Sequence, residues 1–356
     1  MSQIHVPAPA LNRYIEQVWA AIGADERECR LLAEHLVGAN LAGHDSHGVG
    51  MLVEYVPAAK AGALRVGAKA ELVKDAGAVV SLDGQRGLGQ VMAYEAMELG
   101  IERAGAHGVA VVALRNTHHV GRIGHWAEQC AAAGFASVHF VSVPGDVLVA
   151  PLGCRDARFG TNPFCAAFPR PGQTPILLDF ATSKIALGKA RVAYNSGVPV
   201  PPGCVIDADG VPSTDPGVMW NEPMGSLLPF GDHKGYGLAL MCELFAGALG
   251  GAPTTTQETL TQPPGIYNAM LSFVLDPSAF EAPDSQRSAQ AFLDWVGASP
   301  AGDDPRSGIL PGEPEQTRRQ ERLRDGIPID ATTWADVRSA ALDAGLAASD
   351  VPDVQE

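Results

Sequence analysis

Leu11, Tyr14, Ile15, Val18, Trp19 and Ile22 recur behind Pro9 at the spacing of one helical face, and Gly23 supplies a stop. Asp25, with Glu28 three residues on, reads as a capping box. It opens a second helix through Leu31, Leu32, Leu36 and Val37 that runs out at Gly43. From Val79 the period alternates. An apolar strand over 79–82, the glycine turn DGQRGLG, a helix over 88–104, a strand over 109–114, a helix over 122–133 and a strand over 136–143 follow one another as in an α/β protein. Further strands fit 164–168, 176–179 and 269–275, and an apolar helix fits 234–249. Trp334, Val337, Ala341 and Leu342 form a last stripe expected to dock on the N-terminal helices. The Pro/Gly segment 196–217 and the Pro/Asp-rich segment 276–314 lack periodicity and are expected to be irregular.

A chain of 356 residues that is 46% hydrophobic can bury a large core and is expected to form two lobes, because single cores stop growing near about 250–300 residues. A formal charge of -15 argues against nucleic acid or an anionic membrane surface as partner. The beginning of the chain has no basic, then apolar, leader pattern, and no stretch reaches the roughly 18 apolar residues of a membrane span, so a cytoplasmic address is expected. The six cysteines contain no CxxC pair, so buried reduced thiols are expected rather than disulfides or a metal site.

Against this acidic background, NTHHVGRIGHW at 116–126 gathers His118, His119, Arg122 and His125 just after a strand and at the mouth of a helix, where an anion is favoured. Gly121 would let backbone N–H groups approach a phosphate, and Arg122 could fork onto its oxygens. The competing reading is a solvated polar loop; His125 is assigned to the helix surface. HDSHG at 44–48 offers Ser46 and His47 for proton transfer near neutral pH, or else His44 and His47 merely cap the preceding helix. Asp179, at the end of an apolar strand, could orient an imidazole or accept from a ribose hydroxyl; alternatively it N-caps the helix that follows. His233 and Lys234 place cations at a helix start, which suits a bound anion or a frayed surface end. Neither DGQRGLGQ nor GRIGHW has the order of a GxGxxG fingerprint, so a Rossmann dinucleotide site is not expected.

HDSHGVGML, NTHHVGRIGHWAEQCAAAG, RFGTNPF, LDFATS and HKGYGLALMCELF, followed by LPGE at 310–313, together resemble the type-2 malate/L-lactate dehydrogenase family over nearly the whole chain. The resemblance implies a non-Rossmann NAD(P)-binding α/β fold with a large mixed sheet and a helical lobe built from both chain ends. Residues 1–75 with 300–356 would form the lobe that contributes the catalytic histidine, and 76–299 the cofactor domain. It implies a homodimer that interconverts 2-oxo and 2-hydroxy acids with NAD or NADP, the alternatives being a cyclic imino acid reductase or a malate/lactate-type dehydrogenase. His47 would be the general acid, Ser46 its relay, Asp179 an orienting partner and His119 a second histidine at the substrate. Gly121, Arg122, Ile123, Leu177, Leu178, Asp179, Phe180, Ala181, His233, Asn268, Gly312, Glu313 and Pro314 match cofactor-contacting positions, with His47 and Lys234 beside them. Met51 departs from the pattern, since many members carry an arginine there; Arg122, Arg158 and Lys184 are the candidates to hold a carboxylate instead.

Overall fold

The computed structural model describes residues 3–261, 265–303 and 307–350. Helix α1 (Ala8–Ile22) follows strand β1 (Gln3–Val6) and ends at Gly23 in the left-handed region. Helix α2 (Glu26–Leu41) starts with the reciprocal Asp25–Glu28 capping box. Its last residues lead through two 3-10 turns, Asp45–His47 and Val49–Met51, into α3 (Leu52–Lys60). Pro57 inside α3 masks that helix in the sequence.

The main sheet has seven strands in the order β2-β3-β4-β11-β5-β6-β7. These are β2 (Glu71–Asp75), β3 (Val79–Asp83), β4 (Val109–His118), β5 (Ala136–Ser142), β6 (Phe164–Phe168), β7 (Ile176–Phe180) and β11 (Tyr267–Leu275). Only β3 and β4 run parallel; every other pair is antiparallel, with β11 inserted between β4 and β5. Helices α4 (Gly89–His107) and α5 (Gly124–Ala132) pack on this sheet, as does the π-helical continuation, Glu243–Leu249, of α7 (His233–Cys242). This is the mixed, non-Rossmann arrangement expected.

The stretch 196–217 is more ordered than its composition suggests. It supplies β8 (Val205–Ile206) and β9 (Pro212–Ser213), which join β10 (Ser226–Leu227) in a small antiparallel sheet. Val149, Val200, Val205 and Leu227, with Ala190 and Ala193 of α6 (Leu187–Ser196), form its own core. The segment 276–314 likewise contains α8 (Ser285–Gly297), none of whose side chains is buried, so burial left no mark on its pattern. Helix α9 (Glu313–Asp325) is almost wholly polar and is held by ion pairs rather than by an apolar stripe.

The two ends of the described chain meet. Strand β12 (Ile327–Asp330) pairs antiparallel with β1, Ile329 opposite Ile4, and α10 (Ala331–Asp343) sets Trp334 5.8 Å from Tyr14. One continuous core runs from Leu11, Trp19 and Trp334 through Tyr55 to Met92 and Trp126. No helix among the described residues is long and apolar enough to cross a membrane. All six cysteines are unpaired; Cys154 is exposed and the other five are buried.

Candidate active site

The turn bearing His47 is clamped from below by Asn40. The buried amide donates from Nδ2 to Asp45 Oδ1 at 2.7 Å, and its oxygen accepts from the Val49 N–H at 2.9 Å. Gly48 lies so close that a Cβ there would stand 2.2 Å from the Asn40 oxygen. Arg322 of α9 closes the other side, donating to both Asp45 oxygens at 2.6 and 3.0 Å. Neither imidazole caps α2. Its final carbonyls are taken by the backbone N–H groups of Gly43 and His44 and by Arg322, while His44 Nε2 lies 3.2 Å from Glu315 Oε1.

His47 Nδ1 is 3.0 Å from Ser46 Oγ, and its ring stacks on that of His119 with centroids 5.5 Å apart and planes 27° from parallel. Residues more than 70 apart in sequence are therefore brought together, as the family resemblance implies. Burial, with the charges of His44 and Arg122 adding to it, pushes the His47 pKa down to about 4. His119 is held well below the ordinary value by burial and by His47 and His118. Its Nδ1 is 2.6 Å from the hydroxyl of Tyr55, a residue the sequence reading passed over because Pro57 disguised its helix.

A bulge in β11 places Asn268 where its Oδ1 accepts from the Val120 N–H at 2.8 Å, and Gly89 at the head of α4 lets the carbonyls of His118 and His119 come close. These contacts fix the two histidines with opposite surroundings. His118 is buried between the rings of Tyr55 and Tyr267, whereas His119 is only half-buried beside His47.

Arg122 does not reach outward as expected. It is buried, and its guanidinium pairs with Glu128 at 2.8 Å and Asp179 at 3.5 Å. Burial alone would lower its pKa, but the two carboxylates raise it. Burial favours the neutral form of the three imidazoles, and the two carboxylates compensate the guanidinium. His125 is correspondingly no surface residue: its ring lies 5.0 Å from that of His35 and 4.8 Å from that of Trp126. Asp179 caps α5, accepting from the Gly124 N–H at 2.9 Å as well as pairing with Arg122; no hydrogen bond joins it to His47.

The remaining matched positions fall in two places. Leu177 and Gly312 meet where the Leu177 N–H donates to the Pro311 carbonyl at 3.1 Å, and Glu313 caps its own turn by accepting from the Leu310 N–H. Pro314 follows in the first turn of α9. An open cleft of about 490 Å³, lined by Arg170, Thr174, Ile176, Pro311, Glu313 and Gln316, lies along this junction. Leu178 is exposed on β7, with Phe180 and Ala181 partly so. His233 and Lys234 stand exposed at the start of α7. Between the two places, the N–H groups of Gly121, Arg122 and Ile123 make no hydrogen bond among the described residues, although all three residues are buried. Met51 packs against the main core, Arg158 pairs with Asp156, and Lys184 is exposed.

Residues 6–338 match the family described as malate/L-lactate dehydrogenase. The chain is 55% identical to hydroxycarboxylate dehydrogenase B of Escherichia coli strain K12 over 340 residues, which is 95% of this chain and 94% of that one. The sulfolactate dehydrogenase structure from Methanocaldococcus jannaschii superposes with a TM-score of 0.87 at 31% identity, covering 98% of this chain and 99% of the other. The delta1-piperideine-2-carboxylate reductase structure from Pseudomonas syringae does so with a TM-score of 0.81 at 28% identity, covering 94% and 99%. With a family match across most of its length and a relative identical at more than half of the aligned positions, this chain belongs to the malate/L-lactate dehydrogenase family.

Proposed function

We propose that the protein interconverts 2-oxo acids and 2-hydroxy acids with NAD or NADP, His47 giving a proton to the carbonyl oxygen in reduction and taking it back in oxidation. The stacked His47–His119 pair carries this reading: each ring has its Nδ1 engaged and its Nε2 without a hydrogen bond among the described residues. Two such nitrogens side by side can hold one substrate oxygen and move a proton to it. The names of the E. coli and M. jannaschii relatives support the substrate class.

A dinucleotide fits the residues present. The unpaired N–H groups of Gly121, Arg122 and Ile123 at the head of α5 suit a phosphate, as does the Nε of Arg170, which is buried without a partner beside the 490 Å³ cleft. Leu177 to Ala181 and the Gly312–Glu313–Pro314 turn would line the remainder, with His233 and Lys234 nearby. Arg122 would contribute its backbone and Asn268 would hold the loop, since both side chains are already committed. The nicotinamide supplies the hydride when bound. In this reading residues 1–75 with 300–356 carry the acid and 76–299 the cofactor side, and two copies form the working unit.

The second reading is reduction of a cyclic imine, favoured by the likeness to the P. syringae reductase. Phenylpyruvate, 2-oxoglutarate and a cyclic imino acid, each offered with NADH and with NADPH, separate the two by loss of nicotinamide absorbance. Turnover of a 2-oxo acid is expected. Turnover of the imine alone selects the second reading, and nucleotide binding without any turnover rejects both.

A further inference from the structure

The Tyr55 hydroxyl is buried between two partners, Gln90 Nε2 at 3.0 Å and His119 Nδ1 at 2.6 Å. An amide N–H can only donate, so the Tyr55 oxygen accepts from Gln90. Its single proton is then directed at the other partner, and His119 Nδ1 must accept it. An imidazole that accepts at Nδ1 while neutral carries its own proton on Nε2. That Nε2 has no hydrogen bond among the described residues, nor is it among the buried polar atoms left unpaired, so it is open at the side of His47.

We propose that Tyr55, oriented by Gln90, locks His119 in the Nε2–H tautomer and so makes it a fixed hydrogen-bond donor to the substrate oxygen. This rests on the 2-oxo acid reading above and assigns the two imidazoles different work. His47 exchanges its proton with the substrate oxygen, whereas His119 keeps its own throughout and follows that oxygen from carbonyl to hydroxyl. The stacking favours this division, because two neighbouring rings both cycling through the charged form would repel one another. Tyr55 is a positioning residue: it acts through His119.

The test is the nitrogen spectrum of histidine-labelled protein without substrate, with the His119 signals assigned by comparison with His119→Asn. Wild type should show Nε2 protonated and Nδ1 bare. Tyr55→Phe, and independently Gln90→Met, should raise the Nδ1–H population, and Tyr55→Phe should lower kcat about 10-fold with a smaller change in KM. A wild-type His119 protonated at Nδ1, or a nitrogen pattern unchanged in both variants, overturns the lock. A merely structural Tyr55 would lower the melting temperature and leave the tautomer as it was. Because the spectra need no substrate, failure of the lock and failure of the 2-oxo acid reading are told apart.

Discussion

At neutral pH an imidazole with a pKa near 4 is almost wholly unprotonated, and His47 is in that state before substrate arrives. Oxidation of a hydroxy acid, which needs a proton acceptor, finds it ready; reduction needs it charged first. We therefore expect kcat/KM for oxidation to be level between about pH 5 and 8, while kcat/KM for reduction falls about tenfold per unit as pH rises. An inflection near pH 6.5 in the oxidation profile would show that His47 is not so depressed. His47→Ala should cost about 10²–10⁴ in kcat, and near-full turnover would remove it from the mechanism. Arg122→Met should destabilise by about 2–4 kcal/mol in denaturant unfolding, because the partly buried Asp179 would lose its cation and Glu128 would keep only Arg319. A variant as stable as wild type would mean that the pairing is energetically idle. His47 and His119 stand out in the sequence because their motifs are dense in imidazoles, and the family resemblance singles out these two. The commitments of Arg122 and Asp179 were not, since an outward and an inward guanidinium look alike in one dimension.

The elements that position these groups do so by close approach more than by long apolar faces. At Gly48 even a methyl would collide with Asn40, so Gly48→Ala should displace the His47 turn and lower kcat far more than it lowers the melting temperature. Gly121 has φ of 73° and would bring a Cβ within 2.0 Å of the His35 ring. Gly121→Ala should therefore cost at least about 2 kcal/mol, which chemical denaturation can measure. Strands β3 to β7 and β11 and the helices α1, α2, α4, α5 and α10 were legible because each buries a regular stripe, whereas the exposed β2 and the short β1, β8, β9, β10 and β12 left no pattern long enough to read. Helix α9 escaped because charge replaces that stripe: Glu315 meets His44, Arg319 meets Glu128 and Arg322 meets Asp45. The π-helical turn after Cys242 gave no sequence signal, as its apolar residues also suit an α-helix.

For the molecule as a whole, burial lowers the pKa of His35, His47, His118, His119, His125 and His139. Each binds a proton more readily when unfolded, near pH 6.5, than when folded. The stability they confer is thus complete above that value and is lost as pH falls through each folded-state value, about 4 for His47, His118 and His125 and about 3 for His139. The fully buried His118 and His139 alone should each cost up to about 1.4 kcal/mol per pH unit as pH falls from about 6.5 to 4. Melting temperature measured from pH 7 down to 4.5 should fall steeply, and a flat profile would contradict the neutral, buried assignment.

The pairing of β1 with β12 and the grip of Arg322 on Asp45 have a consequence for biosynthesis. His47 is translated early, yet the braces that hold its turn come from Glu315 and Arg322, some 270 positions later in the message. A nascent polypeptide halted on the ribosome before α9 emerges would own its proton-transfer group without the means to aim it, so competence arrives only as translation of this region finishes.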